Sequence, residues 1–413
     1  MKILFSVQRY GEEVAGGSEA ACRSVAEHLA ARGHHVEVVT SCAKSYVDWA
    51  DHFPEGESQL NGVTVHRLRV RAPRSAEQFG PLHGRVLGNP NVPLLVQRDW
   101  LRVEGPDLPG LVPWLHANAA RFDVANFFTY LYPTTGFGLR VAAAYCPTIL
   151  HPTAHDEPMM ALRVFDAVVR AADAIVCLTD EELQLVRRRF RYEPLAEVIG
   201  IGLDAHPRGD GARFRAKYGL ADRPYLVLVG RIDSGKGSDE AYRYFVEYQR
   251  RFGGTTALVV VGEPVMKLEA HPDVVTTGFV DEQTKVDALA GAMALVQPSY
   301  FESFSLALCE AWACRVPAIV QGRCEVLAGQ SKRSGGGIPY RSFAEFAAAV
   351  TRLRQDPTLR ADMGEAGRQY VLDNYQWDVV IERWERFASR VVARRRAGID
   401  VSSSGHPPLG HDV

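Results

Sequence analysis

Short apolar runs alternate with amphipathic segments along the chain, and this order limits the fold more than any other feature of the sequence. The runs "KILFSV" and "HHVEVVTS" flank the segment "SEAACRSVAEHLAARG", which has helical spacing and ends in Gly33. A helix between two strands predicts a parallel sheet that is covered by helices on both faces. The further strands predicted in this half are "VTVHRLRV", "FDVANFF", "TILH" and "AIVCLT".

The same alternation starts again after residue 203. Between the two halves, the segment "VIGIGLDAHPRGDGARF" is rich in glycine and proline, as expected of a hinge. The sequence therefore predicts an α/β fold with two Rossmann-like domains, 1–203 and 204–376, that face each other across a cleft. The strands predicted in the second half are "YLVLVGR", "ALVVVGE", "VVTTGFV", "ALVQPS" and "PAIVQG", and the helices are "TKVDALAGAM", "SLALCEAWAC" and "SFAEFAAAVTRLRQD".

The composition argues against several classes of protein. The 413 residues are 46% hydrophobic and carry a formal net charge of -2, so the chain lacks the basic field that nucleic-acid binding requires. No apolar stretch approaches the roughly 20 residues of a membrane span, and the start lacks the apolar core of a cleavable signal, so we expect a cytoplasmic protein. Seven singly scattered cysteines without clustered histidines indicate reduced thiols and no zinc. The low-complexity tail, 398–413, is expected to be disordered.

A basic loop follows the strand "YLVLVGR". In "LVLVGRIDSGKG", Arg231 comes directly after the strand and Lys236 five residues later, with glycines interleaved. Glycines let the backbone approach an anion closely, and an Arg with a Lys can neutralise a diphosphate. Because the phosphate-loop and dinucleotide fingerprints are absent, the segment indicates neither an ATPase nor a dehydrogenase. Two solvated basic residues in a loop are the alternative interpretation.

Two carboxylates stand out in the segment "PSYFESFSLALCEAWA". A helix is predicted to begin near Ser305, so the backbone amides from Phe304 to Leu306 lie at its positive end, where an anion binds well. Glu302 then lies in the loop beside whatever is attached to that anion. Glu310 lies inside the helix, where a carboxylate can accept two hydroxyl groups of a ribose. The alternative is that Glu302 only complements the helix dipole and that Glu310 is an exposed surface residue.

These segments resemble a known family. "GR…KG", "TTGFV" and "PSYFESFSLALCEAWACRVPAIV" resemble the donor domain of the retaining glycosyltransferases with the GT-B fold, in glycosyltransferase family four. The most specific mark is the spacing of Glu302 and Glu310, with seven residues between them. "GGSEAACRSVAEHLAARGHHVEVVT" also fits, so the resemblance covers most of the chain. Two positions depart from the family pattern, because Ser305 and Arg315 stand where the family usually has glycine.

The resemblance implies a role for each matching residue. The donor is a nucleotide diphosphate sugar, with UDP favoured and GDP as an alternative, and no other cofactor is expected. Arg231 and Lys236 are expected to hold its diphosphate, and Glu310 its ribose. Glu302 is expected to accept hydroxyl groups of the sugar. The remaining donor contacts that the resemblance implies are the segment Ser303, Phe304, Ser305 and Leu306 for the distal phosphate and sugar, the backbone of Gly278, Phe279 and Val280 for the base, and a loop of Gly16 and Gly17 for the diphosphate.

A histidine in "TILHPTAHDEP" is expected to position the donor sugar. His155, which is followed directly by Asp156, fits the family's His-Asp better than His151, which is its rival. Enzymes of this family retain the configuration of the sugar's anomeric carbon, and this retention is explained by front-side attack, in which the departing phosphate takes the acceptor's proton. Neither a side-chain nucleophile nor a metal is then needed, because Arg231, Lys236 and the helix N-terminus supply the positive charge. For the Gly16 and Gly17 loop, a tight turn capped by Ser18 is the alternative.

The acceptor is the least constrained part of the reaction. Tyr130 and Tyr132 follow a strand in "ANFFTYLYPTTGFG" and are candidates for stacking on an acceptor, and rings that close a core are the equal alternative. A small molecule, a glycan or a lipid-linked acceptor is expected, with at most peripheral membrane contact and no nucleic acid. The basic clusters 187–191 and 394–396 are interpreted as solvated helix faces, with contact to anionic lipid as the alternative. A nucleotide-sugar epimerase and a non-catalytic sugar-nucleotide binding protein are the alternative functions.

The last helix predicted from the sequence lies in "NYQWDVVIERWERFASRVVARRRAG", where apolar residues follow helical spacing. By resemblance to the fold, the helix 377–397 leaves the second domain and packs back on the first. Two chain crossings, near residues 203 and 376, are then expected to act as a hinge. The alternative is a helix that only completes the second domain. The apolar stripe comprises Trp377, Val380, Ile381, Trp384, Phe387 and Val391.

Overall fold

The structure, a computed structural model, describes residues 1–14, 16–263, 265–266 and 268–398. The predicted disordered tail, apart from Gly398, therefore lies outside the described residues. The chain divides into two compact units, and each is contiguous in space although the first is not contiguous in sequence. Unit 1 contains residues 1–199 together with the residues from Ile381 onward, and unit 2 contains Gly200–Val380. The boundaries predicted at residues 203 and 376 differ from these by four residues each.

Unit 1 is built around an eight-stranded sheet with helices on its faces. Its strands are β1 (Lys2–Ser6), β2 (His35–Ser41), β3 (Gly56–Leu60), β4 (Val63–Leu68), β5 (Val124–Phe128), β6 (Thr148–His151), β7 (Ala174–Cys177) and β8 (Ala196–Val198). Its first seven helices are α1 (Gly17–Ala31), α2 (Ala76–Gly88), α3 (Leu94–Glu104), α4 (Leu111–Asn118), α5 (Pro133–Ala142), α6 (Asp166–Ala171) and α7 (Asp180–Phe190).

The strand order in unit 1 is β3-β4-β2-β1-β5-β6-β7-β8. Strands β2, β4 and β3 lie on one side of β1, and β5 to β8 follow in sequence on its other side. The strand order therefore reverses between β1 and β5. All neighbouring pairs are parallel except β3 and β4, which are antiparallel, so the prediction of a purely parallel sheet is wrong at this edge. The strand β3 has the polar sequence "GESQL" and is largely exposed, which explains why no apolar pattern marked it.

Unit 2 is built around a six-stranded sheet. Its strands are β9 (Tyr225–Val229), β10 (Ala257–Val261), β11 (Val274–Gly278), β12 (Ala294–Gln297), β13 (Ala318–Gln321) and β14 (Gly337–Tyr340). Its helices are α8 (Gly211–Tyr218), α9 (Ser238–Phe252), α10 (Glu282–Ala290), α11 (Leu306–Ala313), α12 (Glu325–Ser334), α13 (Phe343–Gln355) and α14 (Pro357–Asn374).

The strands of unit 2 are all parallel and follow the order β11-β10-β9-β12-β13-β14. The order reverses between β9 and β12. Helix α9 shows why these segments fold as they do, because its buried residues Ala241, Phe245 and Tyr248 recur at helical spacing and Gly253 ends the helix with a positive φ of 62°. The predicted α/β class with two Rossmann-like units is confirmed.

Helix α15 (Trp377–Arg396) joins the two units in sequence. Within unit 1, Trp384 stacks against Phe5 of β1, with ring centroids 6.1 Å apart, and Arg395 Nη1 lies 3.0 Å from Asp173 Oδ1. Within unit 2, the segment just before α15 runs beside the first residues of the unit, because Leu203 N donates to Tyr375 O at 2.9 Å. The predicted apolar stripe is buried from Val380 to Val391, while Trp377 is only partly buried.

No helix in the described part of the chain is both long enough and apolar enough to cross a membrane. The cytoplasmic location stays a prediction.

Candidate functional site

Two loops meet at the point in unit 2 where the strand order reverses. The first follows β9 and the second follows β12, and these strands are neighbours in the sheet. Gly237 in the first loop has a φ of 69°, and any side chain there would collide with the carbonyl of Pro298 in the second loop. Crevices at such reversal points are where α/β sheets bind their ligands. The predicted donor residues Arg231, Lys236 and Glu302 all lie in these two loops.

The loop after β9 is organised by Asp233. Its carboxylate accepts from the backbone N of Lys236 at 2.9 Å and caps the short 3-10 turn Ser234–Lys236. The same carboxylate forms an ion pair with Arg231. Burial opposes its charge, but the bonds from Arg231 and from the Lys236 amide outweigh burial, so the pKa of Asp233 is lowered. Asp233 therefore fixes the two basic residues that the sequence singled out.

Lys236 and Glu302 are brought into contact. Lys236 Nζ lies 2.9 Å from Glu302 Oε1, and Glu302 is mostly buried, with 12% of its side chain exposed, whereas Lys236 is 42% exposed. The two predicted residues thus form one ion pair across the two loops. An ammonium group so placed can exchange this carboxylate for a phosphate oxygen.

Helix α11 begins one residue later than predicted, with Ser305 preceding its first turn. Ser305 is buried and has a φ of 73°, a left-handed conformation that favours glycine. Its hydroxyl accepts from Gln297 Nε2, the last residue of β12, at 2.6 Å. Phe304 is buried, and its carbonyl accepts from Gln330. These two bonds fix the position of the first turn of α11. The backbone N–H groups of that turn have no acceptor within the helix.

Glu310 lies one turn into α11 and pairs with a lysine that sequence reasoning missed. Lys285 Nζ on α10 lies 2.9 Å from Glu310 Oε1 and 3.0 Å from Glu282 Oε1. Burial opposes the charge of Lys285, but the two carboxylates outweigh burial and raise its pKa. Glu310 is 24% exposed, so it is neither a core residue nor a solvated one. Nothing in the sequence signals this pair, because the two residues are 25 positions apart on different helices.

The predicted base contacts lie at the end of β11. Gly278 closes the strand with a φ of 69°, and Phe279 is 83% exposed. β11 is separated from β9 by β10, so this segment lies two strands away from the Lys236 loop.

In unit 1, the predicted Gly16–Gly17 loop leads into α1, and Gly16 packs against a buried ion pair. Glu19 in the first turn of α1 pairs with Arg9, and both are 5% exposed. A side chain at Gly16 would collide with the Glu19 carboxylate. Ser18 Oγ donates to Glu19 Oε2 at 2.8 Å and makes no capping bond to the helix, so the alternative of a turn capped by Ser18 is wrong. Sequence reasoning missed Arg9.

The two candidate histidines have different surroundings. His151 at the end of β6 is buried, stacks on Phe128 with ring centroids 4.1 Å apart, and its Nε2 lies 3.0 Å from Asn126 Oδ1. Burial lowers the pKa of His151 to about 3, so the imidazole is neutral. His155 is 32% exposed, and its Nδ1 lies 3.8 Å from Glu157 Oε2. A neutral, enclosed ring suits a structural role, so His155 stays the candidate.

The two candidate acceptor rings are not surface rings. Tyr130 is 1% exposed, packs edge-on against Phe165, and donates from its hydroxyl to Glu157 Oε1 at 2.7 Å. Tyr132 is partly buried and packs edge-on against Trp49. Of the two interpretations left open for Tyr130, its burial favours the core ring, because the side chain packs in the core cluster of unit 1. Its hydroxyl instead holds Glu157, the carboxylate beside His155.

No group of three or more His, Cys, Asp or Glu side chains that could hold a metal ion occurs within the residues described above. The positive groups at the unit 2 site are Arg231, Lys236 and the N-terminus of α11, and its hydroxyl-accepting groups are the two glutamates. This combination can bind an anion that carries a polyol on either side.

Comparisons with known proteins match each unit to a glycosyl transferase family. Residues 210–370 match the family described as glycosyl transferases group 1, and residues 16–202 match the family described as glycosyl transferase 4-like domain. The first match contains all the predicted donor residues of unit 2, and the second contains Gly16, Gly17 and His155.

Individual relatives are distant. The chain is 32% identical, over 206 residues, to the GDP-mannose-dependent alpha-(1-6)-phosphatidylinositol monomannoside mannosyltransferase of Mycolicibacterium smegmatis, with 45% of this chain and 52% of that protein aligned. It is 29% identical to the D-inositol 3-phosphate glycosyltransferase of Kineococcus radiotolerans, with 93% and 92% aligned. For three of the curated relatives, the chain spans only 52% to 58% of their length.

A solved structure shows the same fold. The Anabaena HepE protein in complex with UDP and glucose has a TM-score of 0.67 at 15% identity, and the match covers 94% of this chain and all of that one.

Proposed function

The chain belongs to the GT-B glycosyltransferases of family four, and from this premise we propose that it transfers a sugar from a nucleotide diphosphate sugar to a hydroxyl group of an acceptor. One observation carries the proposal: the Lys236–Glu302 pair and the start of α11 converge where the strand order of unit 2 reverses, with Glu310 one turn further along the helix. Phosphate, sugar and ribose each have a chemically suitable partner there.

Each donor group has a proposed partner in unit 2. Lys236 and Arg231 take the diphosphate, and the N–H groups of Ser305 and Leu306 take its distal phosphate. Glu302, released from Lys236, accepts sugar hydroxyl groups. Glu310 accepts the ribose hydroxyl groups with the oxygen that Lys285 does not hold. The backbone from Gly278 to Val280 is proposed for the base, and on the family resemblance Gly16 and Gly17 are proposed for the diphosphate and His155 for the sugar.

The proposed reaction retains the configuration of the anomeric carbon. The bond from that carbon to the diphosphate oxygen breaks, and the acceptor oxygen bonds to the same face. The acceptor proton passes to the departing phosphate oxygen. Negative charge grows on the diphosphate in the transition state, so Arg231, Lys236 and the helix N-terminus lower the barrier without a metal ion.

The base and the sugar of the donor are open to experiment. We favour UDP, and the HepE structure with UDP and glucose supports this base. The relative named as GDP-mannose-dependent supports GDP. That relative's name includes a phosphatidylinositol monomannoside, and the other relative's name includes inositol 3-phosphate, so a phosphorylated polyol or a lipid-linked polyol is the acceptor class that we propose.

A panel of nucleotide sugars, assayed for release of nucleoside diphosphate, tests the proposal. We expect release with one donor family, and we expect Lys236→Met to lower kcat/KM about a hundredfold or more. Turnover should survive treatment with a chelator. A requirement for added Mg²⁺ would contradict the metal-free mechanism. Tight donor binding without release, over a broad acceptor panel, would instead indicate a sugar-nucleotide binding protein.

A further inference from the structure

A groove of about 570 Å³ lies on the helical face of unit 1, outside the proposed donor site. It runs between α3, α5 and α6, and its walls combine apolar side chains with arginines. The apolar part includes Phe137, Val141, Val164 and Val168, and the arginines are Arg98, Arg102, Arg140 and Arg163.

Three of the four arginines of the groove lack an acidic partner in the described part of the chain. Within the described residues, no carboxylate lies at ion-pair distance from Arg98, Arg140 or Arg163, which are all exposed. Arg102 has only the exposed Asp99 at 4.0 Å, and its guanidinium lies over the Phe137 ring, 5.7 Å from the centroid. This local excess of positive charge contrasts with the net charge of -2 for the whole chain. The groove therefore favours a ligand with negative charge.

The basic clusters noted in the sequence differ from this groove. Arg187 pairs with Glu193 at 2.9 Å, and Arg189 pairs with Asp166 at 2.9 Å. Arg396 pairs with Asp123 at 3.0 Å. The charges of these three arginines are offset within the protein, so we do not assign them a ligand.

Two leucines extend the apolar surface of the groove into solvent. Leu94 and Leu95, in the first turn of α3, are 45% and 68% exposed. Leu94 lies one turn before Arg98 and also lines the groove. Together with the apolar wall of the groove, the leucines form a contiguous apolar surface of the kind that marks an interaction site. They sit beside guanidinium groups in the arrangement that suits the boundary between lipid headgroups and acyl chains.

We propose that this face of unit 1 docks on a lipid bilayer that carries anionic headgroups, with the arginines on the phosphates and with the leucines and the groove floor among the acyl chains. Other occupants fit less well. A nucleic acid would meet the arginines but not the apolar floor and leucines. A second copy of the chain, related by two-fold symmetry, would place arginines against arginines with only Asp99 to offset them.

Sedimentation of the full chain with vesicles tests the proposal. We expect binding to vesicles of phosphatidylcholine mixed with phosphatidylglycerol, little binding to phosphatidylcholine alone, and a decrease as salt is raised. The double variant Arg98→Gln with Arg163→Gln should lower vesicle affinity about tenfold or more. Leu94→Ser with Leu95→Ser should also lower it, since the leucines act through apolar contact rather than charge.

A matched control removes the same charge elsewhere. Arg243→Gln with Arg352→Gln changes two exposed arginines of unit 2 and should leave vesicle binding unchanged. An equal loss in the control would overturn the assignment of the groove, as would equal binding to neutral vesicles or no binding by the folded wild type. Displacement of the protein from vesicles by millimolar glycerol phosphate would indicate a small-anion site and also overturn it. Nucleoside diphosphate release, measured in the same samples without vesicles, reports on the glycosyltransferase proposal alone.

Discussion

Glu310 is the residue on which donor affinity should depend most directly. Replacing it by alanine removes the carboxylate proposed for the ribose, and a hydrogen bond to a charged group contributes roughly 1.5–3 kcal/mol. We therefore expect Glu310→Ala to raise the donor's KM by about 10- to 100-fold with little change in kcat. Steady-state kinetics and a titration with the nucleoside diphosphate measure the effect. Unchanged affinity in the titration would refute the role.

Variants of Lys285 and of its second partner, Glu282, test whether Lys285 positions Glu310. Lys285→Met should raise the donor's KM by a smaller factor, because Glu310 keeps its carboxylate but loses the group that orients it. Glu282→Gln removes the other ion pair of Lys285 and should leave KM unchanged, because the side chain of Glu282 is 74% exposed. If Glu282→Gln and Lys285→Met behave alike, Lys285 has no specific role in positioning Glu310.

The two residues that replace the family's glycines both have left-handed backbone. Ser305 has a φ of 73° and Arg315 a φ of 59°, which costs roughly 1–2 kcal/mol for a residue with a side chain. Arg315→Gly should raise Tm by about 2 °C, because its exposed ion pair with Glu365 contributes little. Ser305→Gly should change Tm less, since it also loses the Gln297 bond. Thermal melting checks both, and a lower Tm for Arg315→Gly would contradict this account.

Sequence reasoning found the site residues that lie in short motifs at strand ends, and it missed those brought in by packing. Lys236, Glu302 and Glu310 belong to short segments that are consistent with an anion site, and the family resemblance implies their donor roles. Lys285 reaches Glu310 only because α10 and α11 pack together, and no local pattern encodes that contact. The choice between a core ring and an acceptor ring stayed open for Tyr130 for the same reason, because its burial depends on Phe165 and Glu157.

At the scale of elements, strand β6 and the loop after it place two histidines in different surroundings, His151 buried and His155 partly exposed. Because the pKa of His151 is about 3 when folded and near 6.5 when unfolded, the unfolded chain binds this proton first as pH falls. The free energy of unfolding should thus decrease below pH 6.5, by about 2 kcal/mol at pH 5 through this group. Denaturant unfolding near pH 7.5 and pH 5 should show a smaller decrease in His151→Gln. An unchanged difference would show that His151 is protonated in the fold.

The sequence predicted the central strands better than the edges and insertions. Buried parallel strands such as β1 and β9 are apolar runs, so their pattern is strong. The edge strand β3 is polar, and the helices α2, α3 and α4 interrupt the alternation between β4 and β5. Their packing against the rest of unit 1 involves residues such as Trp100 and Leu115, whose partners are far away in the sequence. Local periodicity cannot indicate where such an insertion packs.

At the scale of the whole molecule, α15 should be indispensable. It supplies Trp384 against Phe5 and Arg395 against the buried Asp173. A chain that ends before Trp377 would expose this apolar surface and leave Asp173 without Arg395, so we expect insoluble or inactive protein. Removing only the residues after Gly398 should leave activity unchanged. Solubility, far-UV circular dichroism and donor turnover compare the two truncations, and full activity of the shorter chain would show that α15 is dispensable for unit 1.

The discontinuous make-up of unit 1 also has a consequence for biosynthesis. About 180 residues separate Ile199 from Ile381, so at 5–20 residues per second the ribosome takes roughly 10–40 s to deliver α15 after the rest of unit 1 has emerged. During that interval the surface around Phe5 has no cover and is open to chaperones or to other nascent chains. Unit 2, which is one continuous stretch, can complete its sheet in the meantime. The part of the protein that is translated first is therefore the part that finishes folding last.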